Sequence, residues 1–148
     1  MIYTPCLPKA PVSGCTRWIG EHPLIQLSIR NKRNDKFWFT FYHEAGHILK
    51  HGKKEIFLED AGIQGSDNCD KEQQADDFAQ KTLLSEKQHL ELMKLTHLTT
   101  EKVNELACRF DVHPAIILGR LQNEELLDWA MPPQFQKFFV SLAPPQEA

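Results

Sequence analysis

The sequence predicts an α+β fold: a short β-sheet followed by a run of helices. Three observations carry that expectation. Apolar Ile25, Leu27 and Ile29 alternate with polar Gln26, Ser28 and Arg30, the two-residue period of a half-buried strand. Trp38, Phe41, Tyr42, Ala45, Ile48 and Leu49 recur three and four apart, the period of a helix, and Gly52 follows as its C-cap. From residue 71 to Leu121 the apolar segments read as helices.

Taken in order, residues 1–23 hold Pro5, Pro8, Pro11, Gly14, Gly20 and Pro23, too many breakers for a helix, and read as an irregular lead-in. Residues 24–30 form a strand, 31–35 supply turn formers, and a short return strand closes a hairpin spanning 24–39. The central helix follows over 38–52. A brief strand fits 55–59, and the glycines and polar residues of 61–68 make a loop. A second helix over 71–84 carries Ala75, Phe78, Ala79, Thr82 and Leu83 on one stripe. Further helices are expected at 90–98, from Thr100 to Phe110, and from Pro114, a residue suited to a first helical position, through Leu121. Pro132, Pro133, Pro144 and Pro145 punctuate a tail expected to fray. The resulting division is 1–95 as a core with its lead-in, 96–131 as a helical subdomain and 132–148 as a Pro-rich tail.

Composition narrows the function classes. A chain of 148 residues, 41% hydrophobic and 25% charged, is an ordinary globular domain rather than a disordered or fibrous one. No apolar run approaches the ~20 residues of a membrane span and no leader opens the chain, so a soluble, cytoplasmic protein is expected. Cys6, Cys15, Cys69 and Cys108 form no C-x-x-C pair, which excludes a zinc ribbon and a dithiol redox motif. Residues 1–58 carry nine Lys/Arg against four Asp/Glu, and 59–148 eight against sixteen, with no basic tail for nucleic acid. Arg30, Lys32, Arg33 and Lys36 concentrate the positive charge, either as a solvated turn or as an edge that docks an acidic partner.

The chemistry lies in the central helix. His43-Glu44-Ala45-Gly46-His47 is H-E-x-x-H, and at 3.6 residues per turn the two histidines project from one face. Both imidazoles can bind one ion while Glu44, about 100° around the helix, can hold a water on it. With seven His and twelve Glu in the chain, the pattern arises by accident with a probability of roughly 0.03, so a third ligand is required to support it. Glu72 is the best candidate. It opens the second helix, small Ala75 permits close packing there, and Asp76, one turn on from Glu72, can accept the outer N–H of a ligating imidazole and so fix its tautomer. His51 and Cys69 are weaker alternatives: three histidines on one straight helix do not close around one ion, and a free Cys beside a helix start is more often inert.

These residues resemble the ImmA/IrrE family of metallo-endopeptidases, over residues 24–30, then 37–52 through the H-E-x-x-H, then 72–79, and more loosely over 96–127. The resemblance implies a thermolysin-like core, with a small sheet packed on the metal-binding helix and a helical subdomain after it. It also implies His43, His47 and Glu72 as metal ligands and Glu44 as the catalytic acid/base. One departure is Asp76, where many relatives carry Asn; either side chain accepts an imidazole N–H. The implied substrate is a DNA-binding helix-turn-helix repressor whose cleavage controls gene expression. One divalent ion is expected, zinc first, with Mn and Fe also suited to two imidazoles and a carboxylate. His113, Arg120 and Tyr42 are possible oxyanion stabilisers, although His113 also reads as a helix start and Arg120 as an i,i+4 partner of Glu124. The competing expectation is a regulatory, antitoxin-like protein-binding module with a structural or vestigial metal site. Residues 100–123 carry three basic and three acidic side chains, which speaks against direct contact with nucleic acid. Finally, a substrate strand needs a sheet edge beside the metal, and the 24–39 hairpin is expected to provide it.

Overall fold

The structure, a computed structural model, describes residues 2–4, 13–28, 33–52, 57–58, 66–130 and 133–138. It is α+β. Strands β1 (Ile2–Thr4), β2 (Gly14–Ile19), β3 (His22–Ser28) and β4 (Phe57–Leu58) form one sheet in the order β1-β3-β2-β4. Helices α1 (Asn34–His51), α2 (Ser66–Leu83), α3 (Glu86–Leu92), α4 (Thr100–Phe110), α5 (Pro114–Asn123) and α6 (Pro133–Gln136) complete the described chain.

The sheet departs from expectation in a way that matters for the site. Strand β3 does occupy the alternating segment, but its hairpin partner precedes it: β2 pairs antiparallel with β3 from Gly14↔Leu27 to Ile19↔His22. The two-residue loop Gly20-Glu21 joins them, with Gly20 at φ +60°, the positive φ that the first position of a type II′ turn requires. On its other side β3 takes β1 in parallel, so β3 is interior and offers no open edge. The expected 24–39 hairpin edge is therefore excluded. Its supposed return strand is helix, since α1 begins at Asn34, with Asp35 as the first-turn acid that the positive helix end favours. Arg30 and Lys32 lie outside the described residues. Arg33 donates from Nε and Nη2 to Asp35 at 3.0 and 2.7 Å and from Nη2 to Gln122 at 2.8 Å, which ties it to the body of the fold.

The C-terminal helices follow the sequence more closely. Thr99 caps α4 by accepting from the Lys102 N–H at 3.2 Å, and Pro114 opens α5 behind His113. Helix α3 lies earlier than the expected 90–98: Ser85 and Gln88 form a reciprocal capping box that starts it at Glu86, and it ends at Leu92, leaving 93–98 outside any helix. Helix α2 likewise starts at Ser66 rather than near residue 71, in a stretch of Ser, Asp and Asn that serves a helix start as well as a loop. Leu84, Leu92, Leu106, Ile117 and Leu121 bury together as the helical core. Phe135 of α6 packs on Val103 and Leu118, so the start of the tail expected to fray is anchored.

Helix α1 runs between the sheet and α2. Its inward face is not the apolar stripe of the sequence: the buried positions are Asp35, Thr40, His43, Glu44, Gly46 and His47, while Trp38 and Leu49 are exposed. A helix that buries its polar face must satisfy those groups with partners on its neighbours. Those neighbours are β2 and α2.

Candidate metal centre

His43 and His47 stand one turn apart on α1 and both are buried, at 3% and 1% exposure. Glu72 comes to them from α2 because the two helices approach closely where Gly46 faces Ala75. A Cβ on Gly46 would lie 3.2 Å from the Ala75 Cα, too near for a comfortable contact. That approach brings the Glu72 carboxylate to 3.2 Å from His43 Nε2 and 3.5 Å from His47 Nε2, with the two Nε2 atoms 3.0 Å apart. Four ligands placed tetrahedrally about 2.0 to 2.1 Å from an ion sit about 3.3 Å from one another, so the three donors already have the separations that a zinc-sized ion requires.

Protonation agrees with geometry. His43 Nδ1 lies 2.8 Å from Asp76 Oδ1, and a carboxylate only accepts, so Nδ1 carries the hydrogen. In the neutral ring the lone pair is then on Nε2, the atom facing Glu72 and His47. The His47 pKa is pushed down to about 3, chiefly by burial, then by the neighbouring His43 and His51 charges, with Asp76 opposing. His47 therefore stays neutral, with a lone pair available, across the physiological range. Within the described residues this trio is the group whose donor atoms, all within 4.8 Å of one another, could hold a metal ion.

Glu44 is fully buried on the adjoining face of α1. Thr16 of β2, itself buried, donates from Oγ1 to Glu44 Oε2 and lies 3.3 Å from its backbone carbonyl oxygen. Strand β2 reaches this close only because residue 14 is glycine: a Cβ there would sit 2.6 Å from Glu44 Oε1 and 2.5 Å from the Thr40 methyl. Thr16 and Gly14 were not anticipated from the sequence, where both fell in the supposedly irregular lead-in. The signal available was Gly14 and Thr16 two residues apart, the spacing of one face of a strand.

Other sequence candidates fall elsewhere. His51 Nε2 is 3.2 Å from the Lys71 carbonyl oxygen, and Cys69 is exposed; neither joins the trio. His113 accepts from the Ala115 N–H at 3.1 Å as the cap of α5, and Arg120 pairs with Glu124 at 2.7 Å, so both take the structural roles that were open to them. Tyr42 packs edge-on to Phe41.

This geometry can be set beside known proteins. The peptidase family described as the IrrE N-terminal-like domain matches residues 7–122, which contain β2, β3, β4, α1 and α2 and the helices up to the last residue but one of α5, while β1 precedes the match. The chain belongs to this family. The match includes His43, Glu44, His47, Glu72 and Asp76 and begins before β2, so Gly14 and Thr16 lie inside the family domain as well. Curated proteins give no match to the chain. Among the described residues no helix is long and apolar enough to cross a membrane.

Proposed function

We propose that the protein is a metal-dependent endopeptidase of this family, with His43, His47 and Glu72 as the ligands of one divalent ion, zinc by preference. The supporting observation is the convergence of the two buried Nε2 atoms and one part-exposed carboxylate at 3.0 to 3.5 Å where α1 meets α2. Held there, the cation supplies Lewis acidity toward a peptide carbonyl. The residues do the rest. Asp76 holds His43 in the ligating tautomer, and Glu72 adds the charge that makes the donor set a cation site. Glu44 takes a proton from the attacking water and delivers it to the leaving amine, while Thr16 fixes the carboxylate that does so. The substrate in this reading is a DNA-binding repressor protein cleaved in the cytoplasm to alter transcription. Residues 1–95 form the peptidase core, 96–131 a helical subdomain and 132–148 a Pro-rich tail.

The test pairs metal analysis with one substitution. Purified protein should carry one equivalent of metal, lost in His47→Ala. Glu44→Gln should keep the metal and lose peptide hydrolysis, because an amide cannot shuttle the proton. Full activity in Glu44→Gln overturns the mechanism. Tight binding of a repressor by wild type and variant, with cleavage by neither, replaces it with the regulatory binding module.

A further inference from the structure

One turn before His43 and Glu44, α1 places Phe39 and Thr40 in the wall of a cavity of about 470 Å³. One turn after Asp76, α2 contributes Gln80 and then Leu83, and α5 closes another side with Ile116 and Arg120. None of His43, His47 and Glu72 lines this space. It is separate from the trio yet lies along the same seam between α1 and α2. Its volume falls within the roughly 300 to 1,000 Å³ of sites that enclose a small ligand, enough for more than one amino-acid side chain.

The lining has an apolar floor and a positive rim. Phe39, Leu83 and Ile116 supply the floor. Asp35 is the acid at the wall, and the two bonds from Arg33 neutralise it. Gly119 lets α5 cross this end of α1, since a Cβ there would lie 2.6 Å from Asp35 Oδ2; the next residue is Arg120. Arg120 uses Nη2 on Glu124 at 2.7 Å and lies 3.3 Å from His89. Its Nε and Nη1 are buried with no hydrogen-bond partner among the described residues. Neither atom is open to the cavity in this side-chain position, so a bound carboxylate meets them when the guanidinium turns toward the space; buried guanidinium donors without acceptors are costly, and a carboxylate is the acceptor that satisfies them best. At the mouth, Lys36 is exposed beside Trp129, 5.5 Å from the ring, and makes no ion pair with a described residue.

We propose that this cavity is a substrate subsite that takes a peptide segment bearing an acidic side chain beside an apolar one. The acidic group would meet Arg120 and Lys36, and the apolar side chain the floor. The proposal rests on the peptidase reading, and it names the substrate class that such an enzyme would select. The test is binding, read without turnover. The ¹⁵N-labelled full chain, as purified, is titrated with N-acetyl-Leu-Glu-amide and with N-acetyl-Leu-Gln-amide, which differ only in charge at nearly equal size. The acidic peptide should bind about tenfold more tightly and shift the Gly119 amide and the Trp129 indole signals. Arg120→Met, which keeps the aliphatic stem, should remove that preference. Lys36→Glu, at an exposed position that leaves folding intact, should reduce it even if Arg120→Met fails to fold. Equal affinity for the two peptides overturns the proposal, as does a preference that survives Lys36→Glu unchanged or shifts centred on His43 and His47. A protein that lacks metal or hydrolysis but still prefers the acidic peptide at Gly119 would fail the peptidase reading alone.

Discussion

Gly46→Ala is the substitution that asks whether the approach of α1 to α2 sets the metal site. The added Cβ would lie 3.2 Å from both the Ala75 Cα and the Phe78 Cδ1, and 3.4 Å from the Ala75 carbonyl oxygen. Ordinary carbon contacts lie at about 3.5 to 4.0 Å, so a few tenths of an ångström must be found. The Phe78 ring can swing aside. The Ala75 Cα is backbone, and it moves only if α2 moves. Two terms then compete in stability. Alanine in place of a helical glycine gains about 1 kcal/mol, while overpacking costs about 1 to 3 kcal/mol. The net expectation is a loss of about 0 to 2 kcal/mol, or a melting temperature lowered by up to about 6 °C in a chain of this size. The site should suffer more than the fold, because Glu72 and Asp76 ride on the displaced helix and ligand positions matter to about 0.2 Å. We expect zinc affinity about tenfold weaker by competition with a chromophoric chelator, and thermal unfolding in chelator that is nearly unchanged or modestly lower. A variant that is more stable by the full helix-propensity gain and binds zinc as tightly as wild type would refute the reasoning.

Two further outcomes follow from the same geometry. Asp76→Ala should weaken metal binding about tenfold, the low end of the range for such partners because the Asp76 side chain is 41% exposed, and Asp76→Asn should recover most of it; unchanged affinity in the alanine variant would remove Asp76 from the site. The metal-free protein should be acid-labile through His47. Its pKa is about 3 folded against 6.5 in the ordinary state, so unfolding binds a proton below pH 6.5, and stability fully present above that pH is lost as pH falls toward 3. Each pH unit in that window costs at most about 1.4 kcal/mol, so the unfolding free energy from urea titration in chelator should fall between pH 7.5 and 5.5 by about 1 kcal/mol more in wild type than in His47→Ala. Equal pH dependence in the two proteins would contradict this.

The legible parts of this fold were those governed by local rules. The helical phase of the 43–47 motif, the positions of Glu72 and Asp76 one turn apart and the proline opening α5 are each set within a few residues, and the structure has them on helices in that phase. What escaped depends on contacts across the chain. Asn34 and Asp35 suit a turn and a helix start equally, and the ties from Arg33 to Gln122, 89 residues away, belong to the start of α1. In α3 the Ser85 and Gln88 signal was present, but the apolar window at 90–98 outweighed it. The 470 Å³ cavity joins α1, α2 and α5, and no local pattern announces such a space.

The two largest departures share one cause. Strand β2 hid because its inward residues are Gly14 and Thr16 instead of the Val and Ile that mark a buried strand, and α1 misled because its apolar residues include exposed Trp38 and Leu49. In both elements the inner face is given to polar groups: Thr16 against Glu44, and His43 and His47 toward Glu72. A core built for stability alone would bury leucine at these positions, and each fully buried aliphatic side chain would contribute about 1.5 to 3 kcal/mol. Forgoing that gain at four adjacent positions is a sacrifice with no return in packing. The return is chemical, because burial of His47 keeps it neutral and Thr16 gives the Glu44 carboxylate a fixed partner. The rule of apolar residues inside thus fails in this chain where β2 and α1 meet the proposed reacting groups, and that coincidence ties the hidden strand to the site.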